Sequence, residues 1–407
     1  MFPALVITFL AFLLRVFNLS TPKGLVFDEL YYVDGARDYL KYGVELTDGQ
    51  SEFVVHPPVG KWLIASGIRL FGDNEFGWRI AAVIAGTLTV YLTAKIAQRI
   101  FHENKWATLA AILMALDGLN LVMSRTALLD IFLTLFILLS VNAWLKGNYL
   151  FFAIYLGLAM GSKWSALYFI IAFLVLELAL NRNLVRVIKV GTTSVLVYLS
   201  SWVGWFASDQ GWDRNSKSNP IASLINYHRE MLNFHTGLTE DHSYQANPWS
   251  WIVMGRPTSF FYEAPKGCGA KSCAQEVLAI GTPILWWLGA AALLFLIGAN
   301  LHNFAMRELD FGVLIPFIGI AAGYLPWFFF QQRTVFTFYA IVFQPFLILA
   351  IVLLAKMAYE YHRKFKYLIV AMVLLIAINF LYFLPVFTGE IITYDAWFDR
   401  MWWNSWI

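Results

Sequence analysis

Phe27-Asp28-Glu29-Leu30-Tyr31-Tyr32 follows the first apolar segment of the chain, and Val55-His56-Pro57-Pro58-Val59-Gly60-Lys61-Trp62 closes the same polar stretch. Two adjacent carboxylates thus stand where one apolar segment ends, and a proline pair with a lysine precedes the next. Connections between neighbouring helices need only about 2–8 residues, so this stretch is longer and richer in acids than a connector requires. We interpret residues 26–61 as part of an active site.

The composition sets the class of protein. Of 407 residues, 59% are hydrophobic and only 14% are charged, which is more apolar surface than a water-soluble domain needs to bury. We therefore predict an all-α polytopic membrane protein. The formal net charge is only +3 and the cations are dispersed, so the chain lacks the electrostatic footprint of a nucleic-acid-binding protein.

Eleven apolar segments could cross about 30 Å of hydrocarbon. They lie at about 1–19, 80–99, 106–122, 127–145, 149–162, 165–181, 187–206, 281–299, 311–330, 335–355 and 367–385. The first has neither a charged start nor a small-residue cleavage site, so we expect it to remain as a helix. The two segments between 149 and 181 are interrupted at Gly161-Ser162-Lys163-Trp164, and a re-entrant pair is the alternative there.

Basic residues set the predicted orientation, because cytoplasmic loops are enriched in lysine and arginine. With a cytoplasmic N-terminus, every strongly basic short loop faces the cytoplasm: Lys95, Arg99, His102 and Lys105; Arg182, Arg186 and Lys189; Arg307; and Lys356, Arg363, Lys364 and Lys366. Residues 26–61, the long segment 207–280 and the tail from Phe387 then lie outside. We expect one membrane domain, residues 1–407.

The long segment 207–280 alternates polar clusters with aromatic residues, which is typical of amphipathic helices at a membrane interface. We expect it to cover the bundle. His228 and His235 are seven residues apart and would share one helix face, and packing or capping of that helix is the alternative to a role in the site. Cys268 and Cys273 could close a small disulfide loop in an oxidising compartment, with free thiols as the alternative. Two cysteines are half a zinc site, so we expect no metal.

Five ionisable residues lie near the outer ends of predicted spans, where such groups are costly unless they pair or line a wet cavity. They are Arg79, Arg125, Asp130, Lys163 and Arg333. Any one of them could snorkel, and Arg125 could pair with Asp130. Four cations on the side that holds Asp28 and Glu29 suit glycosyl transfer from a lipid-linked phosphosugar. In that reaction a base takes the proton of the attacking hydroxyl while cations neutralise the departing phosphate.

Several motifs together make the chain resemble a bacterial member of the protein O-mannosyltransferase family, which has the GT-C membrane fold. They are Phe27-Asp28-Glu29-Leu30-Tyr31-Tyr32, His56-Pro57-Pro58-Val59-Gly60-Lys61, Asp117-Gly118-Leu119-Asn120, Ser124-Arg125-Thr126-Ala127-Leu128-Leu129-Asp130, Gly161-Ser162-Lys163-Trp164-Ser165, His242-Ser243-Tyr244, Asn247-Pro248-Trp249, Arg333-Thr334 and Phe338-Tyr339. Tyr31 departs from the histidine of many relatives. The segment 207–280 is also too short for the sugar-binding-like repeat domain of eukaryotic members.

The resemblance implies transfer of mannose, with inversion, from polyprenyl-phosphate-mannose to a serine or threonine of an exported polypeptide. The reaction would take place at the extracytoplasmic face of the plasma membrane, with the bilayer and the protein export machinery as partners. No cofactor beyond the lipid-linked donor is implied, and the sequence has neither a P-loop nor a dinucleotide fingerprint.

The same resemblance implies roles for individual residues. Asp28 would be the base, and Glu29 would position the acceptor or Asp28; capping of the helix that begins at Leu30 is the alternative for the pair. The candidates for binding the donor phosphate or substrate are Arg79, Arg125, Lys163, Gln332, Arg333, His56, Lys61, Asp130, His235, His242 and Tyr244.

Two other functions remain open at the level of sequence. A transporter or lipid flippase would show inverted repeats and broken helices near the midplane of the membrane, and neither is convincing here. A related enzyme that moves another lipid-linked sugar, such as arabinose or aminoarabinose, has the same composition, and only the motif set favours mannose.

Overall fold

The computed structural model describes residues 1–47 and 49–407. About two thirds of the chain is helical. The helices are α1 (Phe2–Val16), α2 (Glu29–Lys41), α3 (Val59–Phe71), α4 (Glu75–Phe101), α5 (Asn104–Ala115), α6 (Gly118–Met123), α7 (Leu129–Trp144), α8 (Tyr149–Ser162), α9 (Ala166–Asn181), α10 (Leu184–Ser200), α11 (Val203–Ala207), α12 (Pro220–Gly237), α13 (Pro283–Met306), α14 (Phe311–Tyr324), α15 (Gln344–Tyr361), α16 (Phe365–Thr388) and α17 (Tyr394–Phe398). The strands are β1 (Leu46–Thr47), β2 (Gln50–Ser51), β3 (Thr258–Glu263), β4 (Cys273–Ala279) and β5 (Ile391–Thr393).

The helical membrane bundle predicted from composition is confirmed. In the described residues, five helical stretches are long and apolar enough to cross a membrane: α4, α13, α15, α16, and α14 with the turn that follows it, Phe311–Phe329. Four shorter apolar helices, α1, α7, α8 and α9, accompany them. The count of eleven spans stays a prediction.

Some predicted spans are interrupted where a polar group enters them. The predicted span 106–122 divides into α5 and α6 at Asp117, whose carboxylate accepts hydrogen bonds from the backbone N–H of Asn120 at 2.7 Å and from the Trp286 indole at 2.6 Å. A carboxylate that bonds its own backbone ends one helix and caps the next. The predicted span 187–206 likewise divides into α10 and α11.

The prediction that the chain is all-α is wrong in the outer layer. β3, β4 and β5 form an antiparallel sheet in which Thr258 pairs with Ala279 and Cys273 with Thr393. Within 207–280, α12 is the one long helix among the described residues, where we expected several amphipathic helices. Strand β5 comes from the tail after α16, and pairings so distant in sequence leave no local signal. Cys268 and Cys273 are joined by a disulfide beside β4.

The three segments predicted to lie outside meet at one end of the bundle. Tyr227 on α12 donates its hydroxyl hydrogen to the carbonyl of Val54 at 3.0 Å, and Arg256 donates to the carbonyl of Ser405 in the tail at 2.5 Å. At the far end of α4, Arg99 donates to Asn142 at 2.9 Å, and the Lys105 ammonium lies 4.4 Å from the centre of the Tyr359 ring beside the basic residues 356–366. The contacts therefore divide the loops into the same two sets as the distribution of lysine and arginine does. Which end faces the cytoplasm stays a prediction.

Candidate active site

Asp28 stands immediately before α2 and is half-buried. Within the described residues its carboxylate makes no capping bond to the helix, and it accepts one long hydrogen bond, of 3.4 Å, from the hydroxyl of Tyr32. Burial raises the pKa of the Asp28 carboxyl to about 6, although the nearby Lys163 ammonium opposes the shift. Asp28 is thus a carboxylate with free acceptor capacity and a raised affinity for a proton.

Lys163 lies in the break between α8 and α9, in an extended backbone conformation. Its ammonium donates to both carboxylate oxygens of Asp130, at 2.8 and 2.9 Å, and lies 4.3 Å from the centre of the Tyr339 ring. Asp130 is in the first turn of α7, almost every residue of which is buried. The pair that we considered between Arg125 and Asp130 is therefore replaced by Lys163 and Asp130.

A cavity of about 150 Å³ opens beside this pair. Charged and aromatic side chains share its wall: His56, Lys163, Trp164, His235, Trp327, Arg333 and Tyr339. Two wall atoms, Arg333 Nε and His56 Nδ1, are buried without a hydrogen-bond partner among residues 1–47 and 49–407. Buried polar atoms are rarely left unpaired, so these two mark a place where a polar ligand would be bound.

The two histidines of the cavity contribute polarity and no charge at neutral pH. Their ring centres are 5.2 Å apart, and His235 Nε2 lies 2.7 Å from the carbonyl of Val55, so that nitrogen carries the hydrogen. Burial lowers the pKa of His235 to about 4 and that of His56 well below its ordinary value. The cationic groups of this cavity are therefore Lys163 and Arg333.

Glu29 and Arg79 form a closed ion pair, and both side chains are 0% exposed. Two hydrogen bonds of 2.9 Å join them, and Glu29 also accepts from the backbone N–H of Val26 at 3.0 Å and of Ala127 at 2.8 Å. Arg79 directs its other N–H groups to backbone carbonyls within residues 19–24. Both groups are already saturated with partners, which speaks against direct contact of Glu29 with the acceptor and of Arg79 with the phosphate. That Glu29 positions Asp28, the other role considered for it, stays a prediction.

Arg125 is also used within the fold. Its guanidinium donates to the carbonyls of Arg15 at 2.8 Å, Phe17 at 2.7 Å and Asn18 at 3.0 Å, and so closes the end of α1. Of the four cations in the predicted cradle, Lys163 and Arg333 line the cavity, while Arg79 and Arg125 are bonded within the fold. Sequence reasoning missed Arg15, which is fully buried and donates to Asn120 at 2.7 Å. An arginine inside the first apolar segment was the signal.

The remaining candidates are not among the residues that line the cavity. Lys61 is buried against Glu45 and donates to the carbonyl of His56 at 3.3 Å, so it supports the loop rather than facing a ligand. Gln332 is exposed next to Arg333. His242 packs beside Phe27, with ring centres 6.4 Å apart, and Tyr244 lies under Arg256. Over the described part of the chain, no three His, Cys, Asp or Glu side chains are grouped as metal ligands.

Sequence reasoning gave no separate role to Tyr32 and Trp327. Tyr32 is four residues after Asp28, which places the two side chains on one helix face, and that spacing was the available signal. Trp327 lies 5.0 Å from the Tyr339 ring and 6.0 Å from the Arg333 guanidinium, in a turn between α14 and α15. The chain has many aromatic residues, and the local sequence does not distinguish Trp327 from the others as a residue of the cavity wall.

Comparisons with known proteins agree along the whole chain. Family models described as dolichyl-phosphate-mannose-protein mannosyltransferase match residues 5–74 and 55–205, and the C-terminal four TMM region of protein-O-mannosyltransferase matches 220–406. The polyprenol-phosphate-mannose–protein mannosyltransferase of Mycobacterium tuberculosis is 32% identical, over 98% of this chain and 90% of the relative. That of Corynebacterium glutamicum is 31% identical, over 95% of this chain and 89% of the relative.

Solved structures show the same architecture. The Saccharomyces cerevisiae protein O-mannosyltransferase Pmt1-Pmt2 complex bound to the sugar donor superposes with a TM-score of 0.80 at 16% identity, covering 100% of this chain and 92% of that one. ArnT from Cupriavidus metallidurans bound to undecaprenyl phosphate gives 0.54 at 20% identity, covering 86% and 58%. The fold is therefore that of the GT-C membrane glycosyltransferases. Within that class, the sequence matches show that the chain belongs to the protein O-mannosyltransferase family.

Proposed function

We propose that this protein transfers mannose from polyprenyl-phosphate-mannose to a serine or threonine hydroxyl of an exported polypeptide. The reaction takes place at the extracytoplasmic face of the plasma membrane and inverts the anomeric carbon. The observation that carries the proposal is that Asp28, a carboxylate with free acceptor capacity, is bonded to Tyr32, whose ring lies 5.9 Å from that of His56 at the cavity that Lys163 and Arg333 line. A base and a phosphate-binding pair are the two parts that such a transfer needs.

Asp28 is the general base of the proposed reaction. The acceptor oxygen attacks the anomeric carbon, its proton passes to Asp28, and the bond from that carbon to the phosphate oxygen breaks. A carboxyl with a pKa of about 6 is a better proton acceptor than an ordinary aspartate and is still ionised at neutral pH. The Tyr32 hydroxyl, 3.4 Å from the carboxylate, orients it.

Lys163 and Arg333 hold the departing phosphate. Asp130 engages two of the three N–H groups of the Lys163 ammonium and fixes its direction, which leaves the third for a phosphate oxygen. Arg333 Nε supplies a second donor that lacks a partner within the described residues. A phosphate monoester leaves as a weak base, so these charges suffice without a general acid.

The apolar part of the wall suits the rest of the donor. Leu167, Leu232 and Phe330 line the cavity together with the aromatic residues, and a prenyl chain needs such a surface next to its phosphate. No cofactor beyond the lipid-linked donor takes part in the proposed reaction. Because the hydroxyl must reach this recess on an accessible polypeptide segment, we keep the export machinery as the proposed partner that delivers it.

A reconstituted assay tests the function. The purified protein in vesicles receives mannosyl, arabinosyl or aminoarabinosyl phosphoprenyl donors together with a peptide rich in serine and threonine. We expect transfer from the mannosyl donor alone, into a glycoside whose anomeric configuration is opposite to that of the donor. Preference for another sugar donor would favour the related GT-C activities. Absence of transfer from every donor would refute the proposal that the protein is a glycosyltransferase.

A further inference from the structure

A directed hydrogen-bond chain holds Trp164 from behind the cavity wall. The indole nitrogen of Trp164 lies 3.0 Å from the hydroxyl of Tyr198 on α10. That hydroxyl lies 2.7 Å from His228 Nε2, and His228 Nδ1 lies 2.8 Å from the carbonyl of Leu224 on α12. Three elements, the α8–α9 break, α10 and α12, are thus connected through one indole.

The chemistry of its two ends gives this chain a single direction. A backbone carbonyl only accepts, so His228 Nδ1 carries the hydrogen, and Nε2 of a neutral imidazole is then an acceptor. Tyr198 therefore donates to His228 and accepts from Trp164, because an indole N–H only donates. Burial lowers the pKa of His228, which favours the neutral ring that the chain requires.

The surrounding residues leave the chain little freedom. Tyr198 is only 3% exposed, and the Trp202 ring lies 4.9 Å from the His228 ring. Trp164 also contacts His235, at 5.9 Å between ring centres, and both residues line the cavity. One helix, α12, therefore contributes His235 to the cavity wall. Through His228 it also holds Trp164, the neighbouring residue of that wall.

The position of Trp164 in the sequence shows which part of the donor it would meet. It directly follows Lys163, the residue assigned to the phosphate, and the sugar is attached to that phosphate. A pyranose ring has a face of C–H bonds that packs against an aromatic face, which carries the negative side of the ring quadrupole. An indole fixed in angle would select the orientation in which the anomeric carbon faces Asp28.

We propose that Trp164 is the platform for the transferred sugar ring and that His228, acting through Tyr198, is the positioning residue that sets the angle of this platform. This inference rests on the proposed function and names the sugar subsite of the same cavity. His228 itself lies behind the cavity wall and touches no substrate in this scheme.

Two substitutions of His228 make a matched test. In His228→Gln the amide oxygen can take the place of Nε2 and accept from Tyr198, whereas His228→Asn keeps only a donor near Nδ1. We expect His228→Asn and Tyr198→Phe to raise the KM for the mannosyl donor about 5- to 50-fold, because a buried polar group loses its partner. His228→Gln should restore most of the loss.

A donor without its sugar distinguishes a platform from a general support of the fold. Inhibition by polyprenyl phosphate should be unchanged in all these variants, and Trp164→Ala should also lose only affinity for the mannosyl lipid. Equal behaviour of the Asn and Gln variants, or a parallel loss of both lipids, would overturn the proposal. If His228→Asn does not fold, Tyr198→Phe removes one oxygen atom at the same junction and answers the same question.

Failure of the proposed function is recognised separately. A wild-type protein that transfers no sugar would refute mannosyl transfer, and the ratio of binding constants for the mannosyl and unsubstituted lipids would still test the platform. If Trp164 is the platform, the variants bind the mannosyl lipid more weakly relative to the unsubstituted lipid than the wild type does. If it is not, the relative affinity for the two lipids is unchanged.

Discussion

Asp28 and Glu29 are adjacent in the sequence, yet their surroundings differ completely. Asp28 is half-buried and has one hydrogen bond of 3.4 Å, whereas Glu29 is fully buried and is bonded to Arg79, Val26 and Ala127. Successive residues at a helix start point about 100° apart, so the two carboxylates enter different surroundings. A pair of acids in a motif thus divides into a candidate base and a structural anchor.

The cations divide in the same way. Lys163 and Arg333 line the cavity, while Arg79 and Arg125 are used up by a carboxylate and by backbone carbonyls. A cation near the candidate site is therefore either available to a ligand or part of the fold. The two cases differ in whether its N–H donors already have partners in the protein. Each prediction below distinguishes a member of one group from a member of the other.

Asp28→Asn should have the largest effect on activity. It removes the base while keeping the shape of the side chain, so transfer should fall about 10²- to 10⁴-fold with donor binding retained. The unfolding temperature at neutral pH should not fall, because burial disfavours the charged form of Asp28. Transfer to peptide, donor binding and thermal unfolding are measured on the same preparation.

Asp34→Asn is the matched control for this substitution. Asp34 is also on α2, but its side chain is 66% exposed, so transfer should stay at the wild-type rate. Substantial transfer by well-folded Asp28→Asn protein would exclude Asp28 as the base. Glu29 could then serve only if its bonds to Arg79 opened.

Glu29→Gln should act on stability and not on the chemical step. It leaves the Arg79 guanidinium buried without a counter-charge, which costs about 3–5 kcal/mol, so the unfolding temperature and the yield should fall. Glu75→Gln is the control, because Glu75 meets Lys23 only at 3.8 Å and near the surface. A stable Glu29→Gln protein with no transfer would move Glu29 into the catalytic group.

Arg333→Gln should lower kcat/KM for the donor and leave the unfolding temperature unchanged. Loss of one charge-assisted contact to the leaving phosphate costs about 2–4 kcal/mol, or roughly 30- to 1000-fold in rate. Arg125→Gln should instead lower the unfolding temperature, since three carbonyls at the end of α1 lose their donor. The reverse assignment of the two effects would contradict the division of the cations.

The pH dependence gives the smallest and most specific effect. Only ionised Asp28 accepts a proton, so kcat/KM should fall about tenfold per pH unit below a pH of about 6. An aspartate with an ordinary pKa would cause this fall only at lower pH. Tyr32→Phe removes a hydrogen bond that favours the carboxylate, so the limb should move to higher pH. A limb that stays in place in Tyr32→Phe would show that another group titrates.

The sequence was sufficient for the class of protein, whereas the location of the site stays a prediction. Apolar segments predicted the helical bundle, and two of the predicted site residues, Lys163 and Arg333, line one cavity. The hydrogen-bond partners of each charged side chain could not be predicted from the sequence, because they are distant in the chain. Glu29 and Ala127 are 98 residues apart, and Arg125 and Arg15 are 110 apart. The sheet escaped prediction for the same reason, since Cys273 pairs with Thr393 in the tail.

The buried Arg15 has a consequence for biosynthesis. Its guanidinium is 0% exposed, and its bond to Ser124 spans 109 positions of the chain. At about 5–20 residues per second, roughly 5–20 s pass between synthesis of the two residues. An unpaired arginine costs about 2.5–3.5 kcal/mol at the centre of a membrane helix on insertion scales, and less in the last turn of a helix, where Arg15 lies. The first helix is therefore made before the partners of Arg15 outside that helix exist, and its final packing must wait until residues 118–124 have been synthesised.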